Sequence, residues 1–368
     1  MIIGALTRDG YPLNNEQIDF AFVAELPTDG SAVKKRRHRS STGVLPQADA
    51  SKAKSVATLA AQASASAGDL ESMALQLEAN PDYRVLRRLK PCLEWPPLAP
   101  GQDVCKVVVL DTETTGLDQS KEKIIEIALL RVDVDTSTGM PVGAVQVYDG
   151  LEDPGIPISR EIEGITGISD AMVRGQRLDE ERIACLLDGV DLVIAHNAGF
   201  DRQFVEARLP QFCHFAWACS FADIGWKSQG RNSAKLESLA LEMGYFYDAH
   251  RAEMDCHALL AVLASPLPQL PHTGLAHLIA QAARPSYRLQ ATNAPFEAKD
   301  QLKSRGYRWN AEQKVWHTRL DDETALAAEL EWLKHNVYPS RAASVLCERL
   351  DARVRYSSRL GQITKQTL

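Results

Sequence analysis

Three short segments carry the side-chain chemistry of this chain: DTETTG at 111–116, HNAGFD at 196–201 and HRAEMD at 250–255. In the first, Asp111 and Glu113 lie two residues apart, so on an extended chain both point to one face. Two carboxylates aimed at one point repel unless a shared proton or a cation lies between them. In the second, Asp201 falls in the first turn of a helix expected over 200–208, where the helix dipole favours a carboxylate. In the third, Asp255 stands on a helix expected over 251–263 and His250 on the loop before it. Taken singly, each segment also fits a plain role: a polar strand end, a helix cap, a helix start.

The elements around these segments place them together. KVVVL at 106–110, IIEIALLRVDVD at 124–135 and AVQVYDGL at 144–151 are apolar, β-branched runs that predict three strands joined by short turns. A helix is expected over 179–187 and a buried strand over 192–196. Asp111 and Glu113 then sit at the carboxyl end of a buried strand, where open α/β sheets hold their ligands. The segment after 196 leaves a second such strand in the same way. His196 and Asn197 read as shaping that turn.

In this order the three segments, with ITGISDAMVRG at 165–175 between them, resemble the motifs of the DEDDh family of 3′→5′ exonucleases, to which polymerase III epsilon subunits and ribonuclease T belong. The resemblance covers about residues 104–268. It implies an α/β, ribonuclease H-like exonuclease domain with a mixed central sheet. It also implies two divalent cations, Mg²⁺ or Mn²⁺, which suit hard oxygen ligands. By that resemblance Asp111 bridges both cations, Glu113 and Asp255 complete the site of the attacking water, and Asp201 holds the second ion near the leaving group. His250 is then the general base, since an ordinary imidazole titrates near neutral pH. The positions matching the family's 3′-terminal contacts are Thr112, Thr114, Thr115 and Leu117. Phe200 and Phe204, four apart on a helix, read as core before they read as base-stacking groups.

The activity this implies is hydrolysis of phosphodiester bonds at the 3′ end of nucleic acid, releasing nucleoside 5′-monophosphates from single-stranded or frayed ends. DNA is favoured, in repair, proofreading or processing, with replication or repair proteins as the partners such work implies. RNA remains an alternative substrate, because both polymers carry the backbone and the terminal hydroxyl. The alternative from another class is a non-catalytic nucleic-acid scaffold, which has no need of four converging carboxylates.

The flanks read differently from the centre. The 368 residues carry a net charge of −7, distributed as +1 over 1–100, −13 over 101–270 and +5 over 271–368. Residues 1–30 form a segment without a usable motif. Residues 31–69, opened by the basic run KKRRHR, read as a low-complexity flexible linker and partly disordered N-terminal region. Residues 70–103 read as a helix and a Pro-rich lead-in. Beyond the proline-rich break at 265–274, residues 285–368 predict a small α+β module: a strand at YRLQAT, a helix closed by Gly306, a hairpin turning at 310–314 and a helix over 321–336. Its Lys303, Arg305, Arg308, Trp309 and Lys314 interleave charge and ring as nucleic-acid platforms do, with Trp309 and Trp316 as core fillers the competing reading.

No apolar run approaches the ~18 residues a membrane span needs. The seven cysteines are an odd number without paired spacing, and the start of the chain lacks a secretory pattern, which together suggest a reducing cytoplasm. CHFAWAC at 213–219 has no second pair at zinc spacing and reads as a strand. Cys256 and His257 read as packing residues.

Overall fold

The computed structural model describes residues 67–339 and 343–368. The chain divides into two units, Met1–Asp69 and Leu70–Leu368. The expectations for 1–30 and 31–66 lie outside the described residues. The helix expected from residue 70 begins earlier, as Ala67–Glu78, with Asp69 in its first turn. Residues 67–69, expected in the linker, are part of this helix.

Within the second unit the strands named β1 (Val104–Thr114), β2 (Ile124–Asp135) and β3 (Pro141–Leu151) form an antiparallel meander. β4 (Leu192–Ala195) then pairs with β1 in parallel, helix α1 (Ala198–Arg208) follows it, and β5 (Ala216–Cys219) pairs with β4 in parallel. The order β3-β2-β1-β4-β5 is the mixed sheet expected. CHFAWAC is a strand only in its second half, because Pro210–His214 closes a 3₁₀ turn before it.

β1 and β2 are buried on both faces, so their apolar runs alternate between two cores. Val107, Val109, Ala128 and Leu130 face helix α2 (Ala252–Leu263), whose Ala258, Leu259 and Val262 pack on them. Val108, Leu110, Ile127 and Leu129 face the other way, toward α1 and the Glu180–Leu187 helix. Cys256 lies fully buried in the first interface, its thiol against the carbonyls of Val109 and Ala128 at 3.7 and 3.6 Å. His257 beside it is also buried.

This domain extends past both expected boundaries. On the amino side Leu89 is part of the core and its N–H bonds the Phe246 carbonyl at 2.8 Å, and the lead-in runs along β3 through Trp95 N–H to the Gly143 carbonyl, 2.8 Å. On the carboxyl side the proline-rich break does not end it. Thr273 caps a helix, Gly274–Ala282, whose Leu275 and Leu278 are fully buried in the same core. Prolines interrupt the chain there without interrupting the packing.

Strands β6 (Ser286–Ala291), β7 (Arg308–Asn310), β8 (Val315–Leu320), β9 (Ser344–Leu350) and β10 (Gln362–Thr367) form a second, antiparallel sheet in the order β10-β9-β6-β8-β7. Helices Lys299–Ser304 and Glu323–Asn336 supply Leu302, Leu326 and Leu333 to its core. This is the expected α+β module, with β9 and β10 added to it. Trp316 packs against this core while Trp309 stays 50% exposed, so one tryptophan is a core residue and the other is not. Among the described residues no helix is long and apolar enough to cross a membrane.

Candidate active site

Strand parity assembles the site. Asp111 and Glu113 follow Val107 and Val109 on the α2 side of β1, opposite Ala128 and Glu126 of β2 in the pairing register. α2 carries Asp255 in its first turn over the same face. Oxygens of Asp111, Glu113 and Asp255 all lie within 4.8 Å of one another.

Asp201 arrives from the other face. Thr112, between the two strand carboxylates, points to the α1 side and donates its hydroxyl to Asp201 Oδ1 at 2.8 Å. Asn197 supports this by turning in the left-handed region, φ 75°, at the start of α1. Asp201 is 2% exposed. Next to it His196 Nδ1 lies 2.7 Å from Ser220 Oγ, which ties the turn to the residue after β5. The two helices thus bring one carboxylate each to the strand end, from opposite sides of the sheet.

Asp255 accepts two hydrogen bonds at 2.8 Å, from the Tyr247 hydroxyl and from the His250 backbone N–H. His250 sits at φ 65°, a region few non-glycine residues adopt, with its imidazole exposed. Behind it Arg251 donates from Nη2 to Glu126 Oε1 at 2.6 Å, and Ala252 N–H reaches Glu126 Oε2 at 2.8 Å. Glu126 is fully buried. Neither Glu126 nor Tyr247 stands out from motif spacing, although a lone acid inside the apolar run IIEIALL was a signal for Glu126.

The electrostatics are those of crowded like charges. Burial, then Asp201, Asp255 and Glu113, hold Asp111 well above the usual carboxylate range. Burial pushes Glu113 up to about 8, with Asp255 and Glu126 adding to it. Burial likewise lifts Asp201 to about 7 against the pull of the Thr112 hydrogen bond. Asp255 is also raised, again first by burial. An all-oxygen set that resists ionisation on its own fits a divalent cation, whose charge removes the repulsion. Mg²⁺–oxygen distances of about 2.0–2.1 Å span about 4.2 Å across an ion, so the observed spread needs little closure.

The remaining candidates separate clearly. The hydroxyls of Thr114 and Thr115 are bonded internally, to the Gly116 carbonyl at 2.7 Å and to Glu122 Oε2 at 2.6 Å. With Thr112 committed to Asp201, these three threonines shape the loop from within. Leu117 is 51% exposed and is the member of that group whose side chain faces out. Phe204 is buried, and Phe200 packs on it with ring centroids 4.9 Å apart. Cys219 Sγ accepts the N–H groups of Ala198 and Ala222, both at 3.3 Å, so its role is to join α1 to β5.

The profile of the Exonuclease family matches residues 108–263. The chain is 32% identical over 137 residues to the PolC-type DNA polymerase III of Thermotoga maritima, covering 37% of this chain and 9% of that one. It is 30% identical over 165 residues to the DNA polymerase III epsilon subunit of Treponema pallidum, covering 42% of this chain and 73% of that one. A solved structure of exonuclease X in complex with 5′-overhanging duplex DNA shares 22% identity at a TM-score of 0.32, over 46% of this chain and 99% of that one. The match therefore spans under a tenth of the polymerase but most of the epsilon subunit. By its profile match, its epsilon relative and its strand-end carboxylates, the chain belongs to the DEDDh-type exonucleases of the ribonuclease T superfamily.

Proposed function

We propose that this protein is a metal-dependent 3′→5′ exonuclease that releases nucleoside 5′-monophosphates, with single-stranded DNA as the favoured substrate. The observation that carries the reading is the convergence of Asp111, Glu113 and Asp255 at one strand end, with His250 fixed beside them. DNA is favoured over RNA because the relatives that cover this domain are named as DNA polymerase components.

Divalent cations bound there would orient and activate a water and neutralise charge on the reacting phosphate. Asp111, Glu113, Asp255 and Asp201 would hold them. The residues of the chain do the rest. His250, exposed and adjacent to Asp255, accepts the proton of the attacking water at its imidazole. The Tyr247 hydroxyl and the His250 amide fix which way the Asp255 carboxylate faces. The Glu126–Arg251 pair and the Ala252 amide anchor the start of α2 between His250 and Asp255. Leu117, exposed on the loop after the first motif, would wedge against the terminal base as the family resemblance implies.

In the C-terminal module Lys303, Arg308, Trp309 and Lys314 are exposed, as contact with a nucleic-acid backbone requires. Arg305 is less available, since it bonds Glu329 and lies over the Trp332 ring at 4.8 Å. Product analysis tests the activity. A strand with a free 3′-hydroxyl should yield nucleoside 5′-monophosphates one at a time. Internal cuts in a circular single strand would contradict the exonuclease reading.

A further inference from the structure

Arg202 follows the candidate ligand Asp201 in α1 and is completely buried. A guanidinium so placed must find acceptors for its fork of N–H donors. It finds most of them in a loop about 150 residues further along the chain. Nη1 donates to the carbonyls of Ala352 and Arg355 at 3.1 and 2.7 Å, and Nη2 to that of Arg353 at 2.5 Å. Its Nε bonds Glu206 at 2.7 Å, and its plane lies over the Trp217 ring at 5.3 Å.

These carbonyls belong to the connection between β9 and β10 of the C-terminal module. The same connection grips the catalytic domain elsewhere. The Ala352 carbonyl also accepts Trp217 N–H of β5 at 2.8 Å. Ser357 and Arg359 both bond Glu206, at 2.6 and 3.2 Å. Tyr356, held at φ 69°, bonds Asp223 and lies close to Gly199 in the first turn of α1. Arg319 of β8 reaches the same Asp223 at 2.8 Å.

Adjacent residues of a helix point about 100° apart. One side of the first turns of α1 therefore presents Asp201 to the carboxylates while the next side is locked into the module. Asn197 offers α1 no side-chain cap, and the grip on Arg202 adds to the Cys219 and Thr112 bonds that hold the helix start. We infer that the C-terminal module is a working part of the nuclease, its 351–359 loop gripping Arg202 so that Asp201 is held in register with Asp111. Arg202 is a positioning residue, and the catalytic domain is incomplete without the module. This rests on the exonuclease reading given above.

The test uses the full chain. Arg202→Met keeps length and removes the charge, releasing the grip, while Glu206 keeps Ser357 and Arg359 as partners. Ser357→Ala/Arg359→Ala loosens the loop from Glu206 without touching a buried charge. Three quantities are measured per folded molecule: kcat and KM on a 5′-labelled single strand, and the rise in Tm on adding Mn²⁺. Arg202→Met should lose about 10–100-fold in kcat, as misplaced catalytic groups do, with KM within about twofold and a smaller Mn²⁺ response. Arg202→Lys should recover part of both. The double variant should lose less in kcat, in the same direction.

A folded Arg202→Met with wild-type kcat and Mn²⁺ response would overturn the inference. Should Arg202→Met not fold, the double variant decides: wild-type kcat there overturns the inference equally. Inactive wild-type protein would instead overturn the exonuclease reading, so the two failures are distinct.

Discussion

The Asp255 carboxylate accepts the backbone N–H of His250 at 2.8 Å, so the candidate base and a candidate metal ligand are tied to each other across five residues. The left-handed turn at His250 makes this possible by directing its amide back at the helix start. With the backbone occupied, the imidazole is the part of the residue that faces outward.

His250→Gln should therefore separate chemistry from assembly. The amide bond to Asp255 survives because it is made by the backbone. We expect kcat to fall by about 10²–10⁴-fold, the usual worth of a general base, with metal binding retained. Loss of the Mn²⁺-induced rise in Tm would show that the histidine is needed to build the site as well.

The crowded carboxylates predict an inverted pH dependence of stability in metal-free protein. Glu113 at about 8 and Asp201 at about 7 hold protons more tightly folded than unfolded. Their contribution is full below about pH 4 and is lost as pH rises through about 7–8. Tm in EDTA should fall between pH 5 and pH 9, and Mg²⁺ or Mn²⁺ should restore it at the upper end. A Tm in EDTA that is flat over this range would contradict the account.

By the same argument Asp111→Asn should raise stability while ending activity. It removes a like charge from a buried cluster without changing volume. Metal-free Tm at pH 8 should rise by about 2–4 °C if about 1 kcal/mol of repulsion is relieved. Thermal melts of the two proteins side by side in EDTA check this directly.

Glu126→Ala should cost about 1–3 kcal/mol, because the Ala252 amide loses its acceptor inside the fold. Arg251 can turn to water, so the cost is smaller than for a fully buried pair. Denaturant melts measure it, and Glu126→Gln should recover part of it.

Nucleic-acid binding by the module is tested with point variants, since truncation would also release Arg202. Arg308→Ala/Trp309→Ala should raise KM with kcat unchanged and reduce the salt slope of binding by about one unit for each phosphate no longer neutralised. An unchanged slope would assign these side chains to the surface alone.

What was legible in the sequence was what is local. DxE on a strand end, HNAGFD after a strand and HRAEMD before a helix each fix a carboxylate by strand alternation or first-turn geometry; the structure sets Asp111, Glu113 and Asp255 within 4.8 Å of one another and ties Asp201 to Thr112 beside them. The partners were not legible, because they come from elsewhere in the chain. Arg251 meets Glu126 across 125 residues, and Arg202 meets Ala352 across 150. The proline-rich segment at 265–274 misled for a related reason. Proline breaks helices and strands, which is local, but the packing of Leu275 and Leu278 on the core is not. Strand β10 lacked a signal of its own, since QITKQT is polar and exposed on an edge.

The most direct measurement follows a 5′-labelled single strand, as DNA and as RNA of equal sequence, with Mg²⁺, Mn²⁺ or EDTA, for wild type and Asp111→Ala. The account predicts a ladder of stepwise shortening from the 3′ end in wild type with metal, faster on DNA, and none in EDTA or in the variant. Shortening that persists in Asp111→Ala, or no shortening of either polymer by wild type with either metal, would contradict it.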